Sequence, residues 1–307
     1  MTVTHQAAGR TNLASGPRVV RLGVTDLSFH RVTAAVVALV LQRMGLTVER
    51  HYALHEENFE QLRKGSVDML ISAWIPFSHG LYKQAVEAVT PTRELGLHYQ
   101  PYALWGVPDY VSEHDVESIE DLLKPDVRAR MNPLIQGIGP GAGITRFSLK
   151  IMDEYGLNDA GYRFRTGSQD DCIKAFEALY QQRRWGIVPL WHPQFLHHRY
   201  RIRDLKDPKG LLGSVDRAVL LAREDRLVLL TAAEIQVLDN IRLSNLIVAE
   251  LDDALNRGGQ SADDAAIDWL ARHPDTLRAW LAPWPDWATR PFTNSEFAAG
   301  WLQGPAH

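Results

Sequence analysis

Between residues 19 and 73 strand-length and helix-length segments alternate, and that alternation leaves few folds open. Residues 19–24 (VVRLGV) read as a buried strand, followed by the turn Thr25-Asp26-Leu27-Ser28. Residues 29–44 form a helix that Gly45 ends. Residues 47–52 are the next strand, 56–64 a short helix and 68–73 a third strand. A β-α-β-α-β opening predicts an α/β fold with a parallel sheet and right-handed crossovers.

After Pro108 the pattern restarts. Strands are expected at 134–138, 162–166, 185–190 and 200–205, with helices at 143–155 and 168–181. Residues 217–223 read as a strand returning to the first unit, and from 231 onward the chain is helical. Ser261 and Asp264 resemble a capping box there. A chain of 307 residues is long for one core and fits two lobes. The expected division is a disordered tail over 1–18, lobe 1 from 19–107 together with 216–307, and lobe 2 from 108–215. The crossings fall near 106–110 and 213–218.

The bulk numbers exclude several classes. A net charge of −4 without a basic run excludes a phosphate-neutralising nucleic-acid surface. A single cysteine, Cys172, excludes an internal disulfide. It sits on an apolar helical face and reads as inert core. No segment reaches the ~20 apolar residues of a membrane span. No apolar stretch of signal-peptide type precedes residue 19, so a cytoplasmic location is expected.

Two tryptophans end two of these strands: Trp74 in Ser72-Ala73-Trp74-Ile75-Pro76, and Trp191 in Pro189-Leu190-Trp191-His192-Pro193. Ligands of open α/β sheets bind at the carboxyl ends of strands. Large aromatics placed there suggest an aromatic cage for a quaternary ammonium, held by cation–π attraction. Simple packing is the alternative. The run Gly137-Ile138-Gly139-Pro140-Gly141-Ala142-Gly143-Ile144 follows a strand and opens a helix. Its free N–H groups suit a small anion such as a carboxylate, and a turn needed only for close packing is the alternative. It has neither the ending of a P-loop nor the spacing of a dinucleotide fingerprint.

With these motifs in view, the chain resembles the substrate-binding proteins of glycine betaine/proline-betaine ABC importers. The resemblance is carried by residues 72–79 (SAWIPFSH), 140–144 (PGAGI) and 188–195 (VPLWHPQF). Residues 203–208 and 265–270 fit the same pattern. It implies a two-lobed, hinged periplasmic-binding-protein-like fold of type II that closes on its ligand, ending in a helical segment. It also implies a permease or regulatory partner, a small-molecule ligand of the betaine, choline or carnitine class, and no cofactor. Trp74 and Trp191 would be cage walls, and Gly143 and Ile144 would offer backbone N–H groups to a carboxylate. The family's third aromatic falls where this chain has Leu27 and Ala142, and Phe29 is the nearest substitute. Gln194 stands where some relatives carry a ligand-binding histidine.

Other polar residues fit the cleft or a plainer role. Asp26 would cap the first helix or face a cationic head group. His30 reads as exposed or capping, and His79 would order its loop or touch ligand. His192, His197 and His198 match no common zinc spacing, so no metal is expected. A cytoplasmic enzyme on the same fold, with His79, Asp26, His30 or His192 as acid or base, is the second reading. No compact catalytic constellation supports it, so binding without catalysis leads.

Overall fold

The computed structural model describes residues 17–285. Most of the expected tail over 1–18, and the Trp- and Pro-rich stretch from 286 to 307, lie outside the described residues.

Lobe 1 is built as the sequence pattern requires. Strand β1 (Val19–Thr25) leads into α1 (Ser28–Arg43), then β2 (Thr47–Ala53), α2 (His55–Lys64), β3 (Met69–Ile75), α3 (Gly80–Glu87) and β4 (Thr92–Leu95). β1 pairs in parallel with both β2 and β3. α1 is apolar around almost its whole circumference, and residues 32–41 are all buried. A helix of that kind must be covered on every side. It lies on the sheet and beneath two C-terminal helices, described below.

β5 (Tyr102–Pro108) opens lobe 2. It pairs antiparallel with β8 (Val188–His192) and with β9 (Ile202–Asp204). Between these come α4 (Pro125–Arg130), β6 (Leu134–Gln136), α5 (Gly143–Glu154), β7 (Arg163–Arg165), α6 (Gln169–Gln181) and α7 (Leu196–Arg199). The crossing out of lobe 1 therefore precedes Tyr102, instead of falling at the expected 107/108. The aromatic run 98–107 gives no local sign of which sheet will take it. Trp105, fully buried, donates its indole N–H to Ser148 Oγ at 2.8 Å, which anchors β5 in the second lobe.

β10 (Arg217–Arg223) returns and inserts antiparallel between β3 and β4, giving the order β2-β1-β3-β10-β4. Helices α8 (Ala232–Asn240), α9 (Asn245–Gly258), α10 (Ala262–Arg272) and α11 (Pro274–Leu281) complete the described chain. Ser261 caps α10 by accepting the Asp264 N–H at 3.0 Å. Cys172 is buried in α6, and burial pushes its thiol up to about 12. No helix among the described residues is long and apolar enough to cross a membrane.

Candidate functional site

The site lies where the two lobes face each other, at the carboxyl ends of β1, β2, β3 and β8. Lobe 1 contributes Leu27, Phe29, His30, His55, Trp74 and His79 to the cleft wall. Lobe 2 contributes Ala103, Ile138, Ala142, Gly143, Ile144 and Trp191.

Three aromatic rings converge. The Phe29 ring lies 5.3 Å from that of Trp74 and 5.6 Å from that of Trp191, centroid to centroid, so it bridges the two indoles. Trp74 is held from behind. Its indole N–H reaches Ser72 Oγ at 2.9 Å and the Tyr99 hydroxyl at 3.2 Å. Its backbone N–H donates to His79 Nδ1 at 2.9 Å. Ser72 and Tyr99 are bonded to each other, and burial raises the Tyr99 hydroxyl to about 12, so it stays protonated as a donor. Trp191 is 2% exposed, and its indole N–H has no partner among the described residues.

Opposite the rings stands the start of α5. Its N-cap residue is Ala142, which has no capping side chain, and no acidic residue occupies the first turn. The Ala142 N–H bonds back to Gly139 O, while the Gly143 and Ile144 N–H groups make no hydrogen bond among the described residues. Unsatisfied N–H groups at a helix start attract an anion. Aromatic faces for a cation and open N–H groups for an anion thus line one cleft.

Three histidines form the floor behind Trp74. The ring centroids of His30 and His55 are 6.3 Å apart, and those of His55 and His79 are 5.2 Å apart. Burial, and for His55 the charge of Arg146, pulls the pKa of His55 down to about 4. Burial and neighbouring histidines push His30 and His79 well below the ordinary histidine range. All three are neutral at pH 7.

The lobes are latched together around this cleft. Arg146 of α5 donates to Ser78 O and reaches the Tyr82 hydroxyl at 3.0 Å. Gln169 of α6 exchanges hydrogen bonds with the backbone N–H and hydroxyl of Ser28 at 3.2 and 2.7 Å. The Phe195 N–H donates to the Asp252 carboxyl at 2.9 Å. The free space left inside is about 20 Å³. That is room for about one water, far below the ~300–1,000 Å³ of pockets that hold drug-sized ligands. This is a closed arrangement, and a ligand must enter through separation of the lobes.

A model of the substrate-binding domain of ABC-type glycine betaine transport systems matches residues 18–272. The chain belongs to this family. A glycine betaine/carnitine transport binding protein of Listeria monocytogenes is 26% identical over 161 residues, 51% of this chain and 52% of that one. The chain thus spans about half the length of that relative. The fold is shared with lactococcal OpuAC in its closed, glycine betaine-bound form. That match has a TM-score of 0.75 and 22% identity, and covers 86% of this chain and 99% of the other. An ABC-transporter choline-binding protein in complex with choline gives a TM-score of 0.75 at 14% identity, covering 86% and 92%.

Seven of the nine residues singled out in the sequence line the cleft: Trp74, Trp191, Phe29, His79, Ala142, Gly143 and Ile144. Two do not. Asp26 is exposed and ion-paired with Arg31, and neither caps α1 nor faces the cleft. Arg31, five residues on, captures its carboxylate. Gln194 is fully buried and is not among the residues lining the cleft, its Oε1 accepting from the Leu196 N–H at 2.9 Å. His30, expected as exposed or capping, is 1% exposed and lines the cleft, its ring packed against Phe29, His55 and Trp74. His55 was missed altogether. It lies just past the carboxyl end of β2, so the strand-end rule that marked Trp74 applies to it equally. His192 stacks on His197 and lies tilted against Tyr102, outside the cleft.

Proposed function

We propose that this chain binds a small quaternary-ammonium or zwitterionic solute of the betaine, choline or carnitine class between its lobes. The single observation that carries this is the bridging of Trp74 and Trp191 by Phe29 in a cleft whose far wall is the open start of α5. The rings would face the cationic head by cation–π attraction. The Gly143 and Ile144 N–H groups would take a carboxylate. Leu27 and Ala142 line the same cleft without an aromatic face, which leaves Phe29 as the third wall. The Listeria relative, named for glycine betaine and carnitine, and the choline complex of the same fold support the ligand class.

The partner we propose is an ABC permease that accepts the solute from the closed domain. With that partner the domain works on the outer face of the membrane. A cytoplasmic location would instead make it a sensor or scavenger, and cell fractionation separates the two.

Calorimetric titration against glycine betaine, proline betaine, choline and carnitine, with glycine as the unmethylated control, tests the assignment. Binding of a methylated ammonium without conversion to product supports it. Heat-silent titrations with all of them would sink it.

A further inference from the structure

His30 carries a polar atom that the cage alone does not account for. The residue is 1% exposed, lines the cleft, and its Nδ1 is buried with no hydrogen-bond partner among the described residues. Buried polar atoms without partners are rare in folded proteins, and each calls for an explanation. His79 offers no parallel, because its Nδ1 already accepts the Trp74 N–H.

The ring of His30 belongs to the cationic end of the cleft. It lies 4.2 Å from the Phe29 ring and 5.7 Å from that of Trp74, centroid to centroid. A neutral imidazole presents one N–H and one bare nitrogen. A protonated Nδ1 would need an acceptor, and an ammonium head offers none. A bare Nδ1 is satisfied only by a donor. A fully methylated ammonium has no N–H to give, whereas a protonated tertiary or secondary amine does.

Resting on the proposed solute-binding function, we propose that His30 makes this cleft selective for incompletely methylated ammonium zwitterions, its Nδ1 accepting the ligand's N–H while Phe29, Trp74 and Trp191 enclose the methyl groups. The ammonium N–H, stripped of water inside the cage, would otherwise go unpaired. With a quaternary ligand the unpaired atom is His30 Nδ1 itself. Sites built to hydrogen-bond a ligand N–H discriminate strongly against analogues that lack it.

The test is calorimetric titration of the full chain at pH 7 with N,N-dimethylglycine and with glycine betaine, in the wild type and in His30→Phe. The substitution keeps an aromatic ring and removes the acceptor. We expect the wild type to bind dimethylglycine about tenfold or more tightly than glycine betaine. In His30→Phe that ratio should fall to one or invert. The ratio is taken within one preparation, so a partly misfolded variant does not distort it. Equal affinities in the wild type, or a preference for glycine betaine, overturn the proposal and leave the solute-binding function standing. So does a wild-type preference that survives His30→Phe. Silence of both ligands in the wild type overturns the proposal, and the underlying function falls with it only when proline betaine, choline and carnitine are silent too.

Discussion

The Cα atom of Ser78 lies 3.0 Å from the point where a Cβ on Gly143 would stand. Ser78 belongs to lobe 1 and Gly143 to lobe 2, so the two backbones touch across the cleft with no room for a methyl group. Gly143 has an ordinary helical conformation and is required for close approach, not for an unusual dihedral. Gly143→Ala should therefore leave each lobe intact and oppose closure. We expect ligand affinity to fall by about 1–3 kcal/mol, the usual cost of overpacking, with melting temperature nearly unchanged. Calorimetry together with small-angle scattering of the liganded protein checks this. Unchanged affinity would mean that the lobes do not approach this closely when ligand is bound.

Trp74 should respond differently to two kinds of substitution. Trp74→Ala removes a cage face and a buried side chain at once, so losses in both affinity and stability are expected. Tyr99→Phe is the sharper test. It keeps the Trp74 ring and deletes one of the two acceptors of its indole N–H. It also deletes the hydroxyl bonded to Ser72. If ring orientation governs cation–π contact, affinity should fall by about 0.5–1 kcal/mol in Tyr99→Phe, and by more than 2 kcal/mol in Trp74→Ala, as for a central binding aromatic.

What could be read in the chain divides by range. The strand-helix alternation of residues 19–73 is local and periodic, and it led directly to the parallel pairing of β1 with β2 and β3. Trp74, Trp191 and the Gly143 turn were legible because each sits at a strand end or helix start that the sequence itself marks. The placement of β5 was not legible, because strand pairing is non-local and residues 98–107 are equally suited to either sheet. His30 was misjudged for a related reason. A polar residue in the first turn of a helix normally meets solvent, and the non-local packing of the His30 ring against His55 and Trp74 buries it. Asp26 illustrates the converse, a carboxylate at a strand end drawn aside by Arg31.

Arg146 joins the lobes through one side chain. Its guanidinium donates to Ser78 O and Tyr82 Oη in lobe 1 and to Gly141 O in its own lobe. Arg146→Met should shift the protein toward the open form and weaken ligand binding by about 1.5–3 kcal/mol, the range for hydrogen bonds to a charged group. Arg146→Lys should not restore it, because a single ammonium cannot reproduce the planar fork. Scattering of the unliganded protein reads the opening, and titration reads the affinity. An Arg146→Lys variant with full affinity would show that charge alone is sufficient.

The buried titratable groups set the pH dependence of stability, and they pull in opposite directions. His55 titrates near 4 in the fold, against an unfolded value near 6.5. The unfolded chain therefore binds its proton first, and stability present above pH 6.5 is lost as pH falls toward 4, by roughly 3 kcal/mol at 1.36 kcal/mol per unit. His30 and His79, shifted the same way, add losses of the same sign. Asp252 behaves inversely. Burial lifts its carboxyl from 3.8 to about 7, against hydrogen bonds from Ser28, the Phe195 N–H and Asn256. Its contribution is fully present below pH 3.8 and lost as pH rises through 7, by roughly 4 kcal/mol. Between pH 4 and 6.5 the two effects overlap; His192 and His197 are lowered as well, and Asp204 and Asp216 raised, so five histidines stand against three aspartates and acidification from pH 7 to 5 should destabilise the protein. Urea unfolding at pH 5, 6, 7 and 8 separates the contributions. His55→Asn should flatten the acid limb. Asp252→Asn, which keeps an acceptor for the Phe195 N–H and cannot ionise, should steepen that limb and gain stability at pH 8 relative to the wild type. A wild-type stability that rises on acidification would show that Asp252, Asp204 and Asp216 together dominate the histidines.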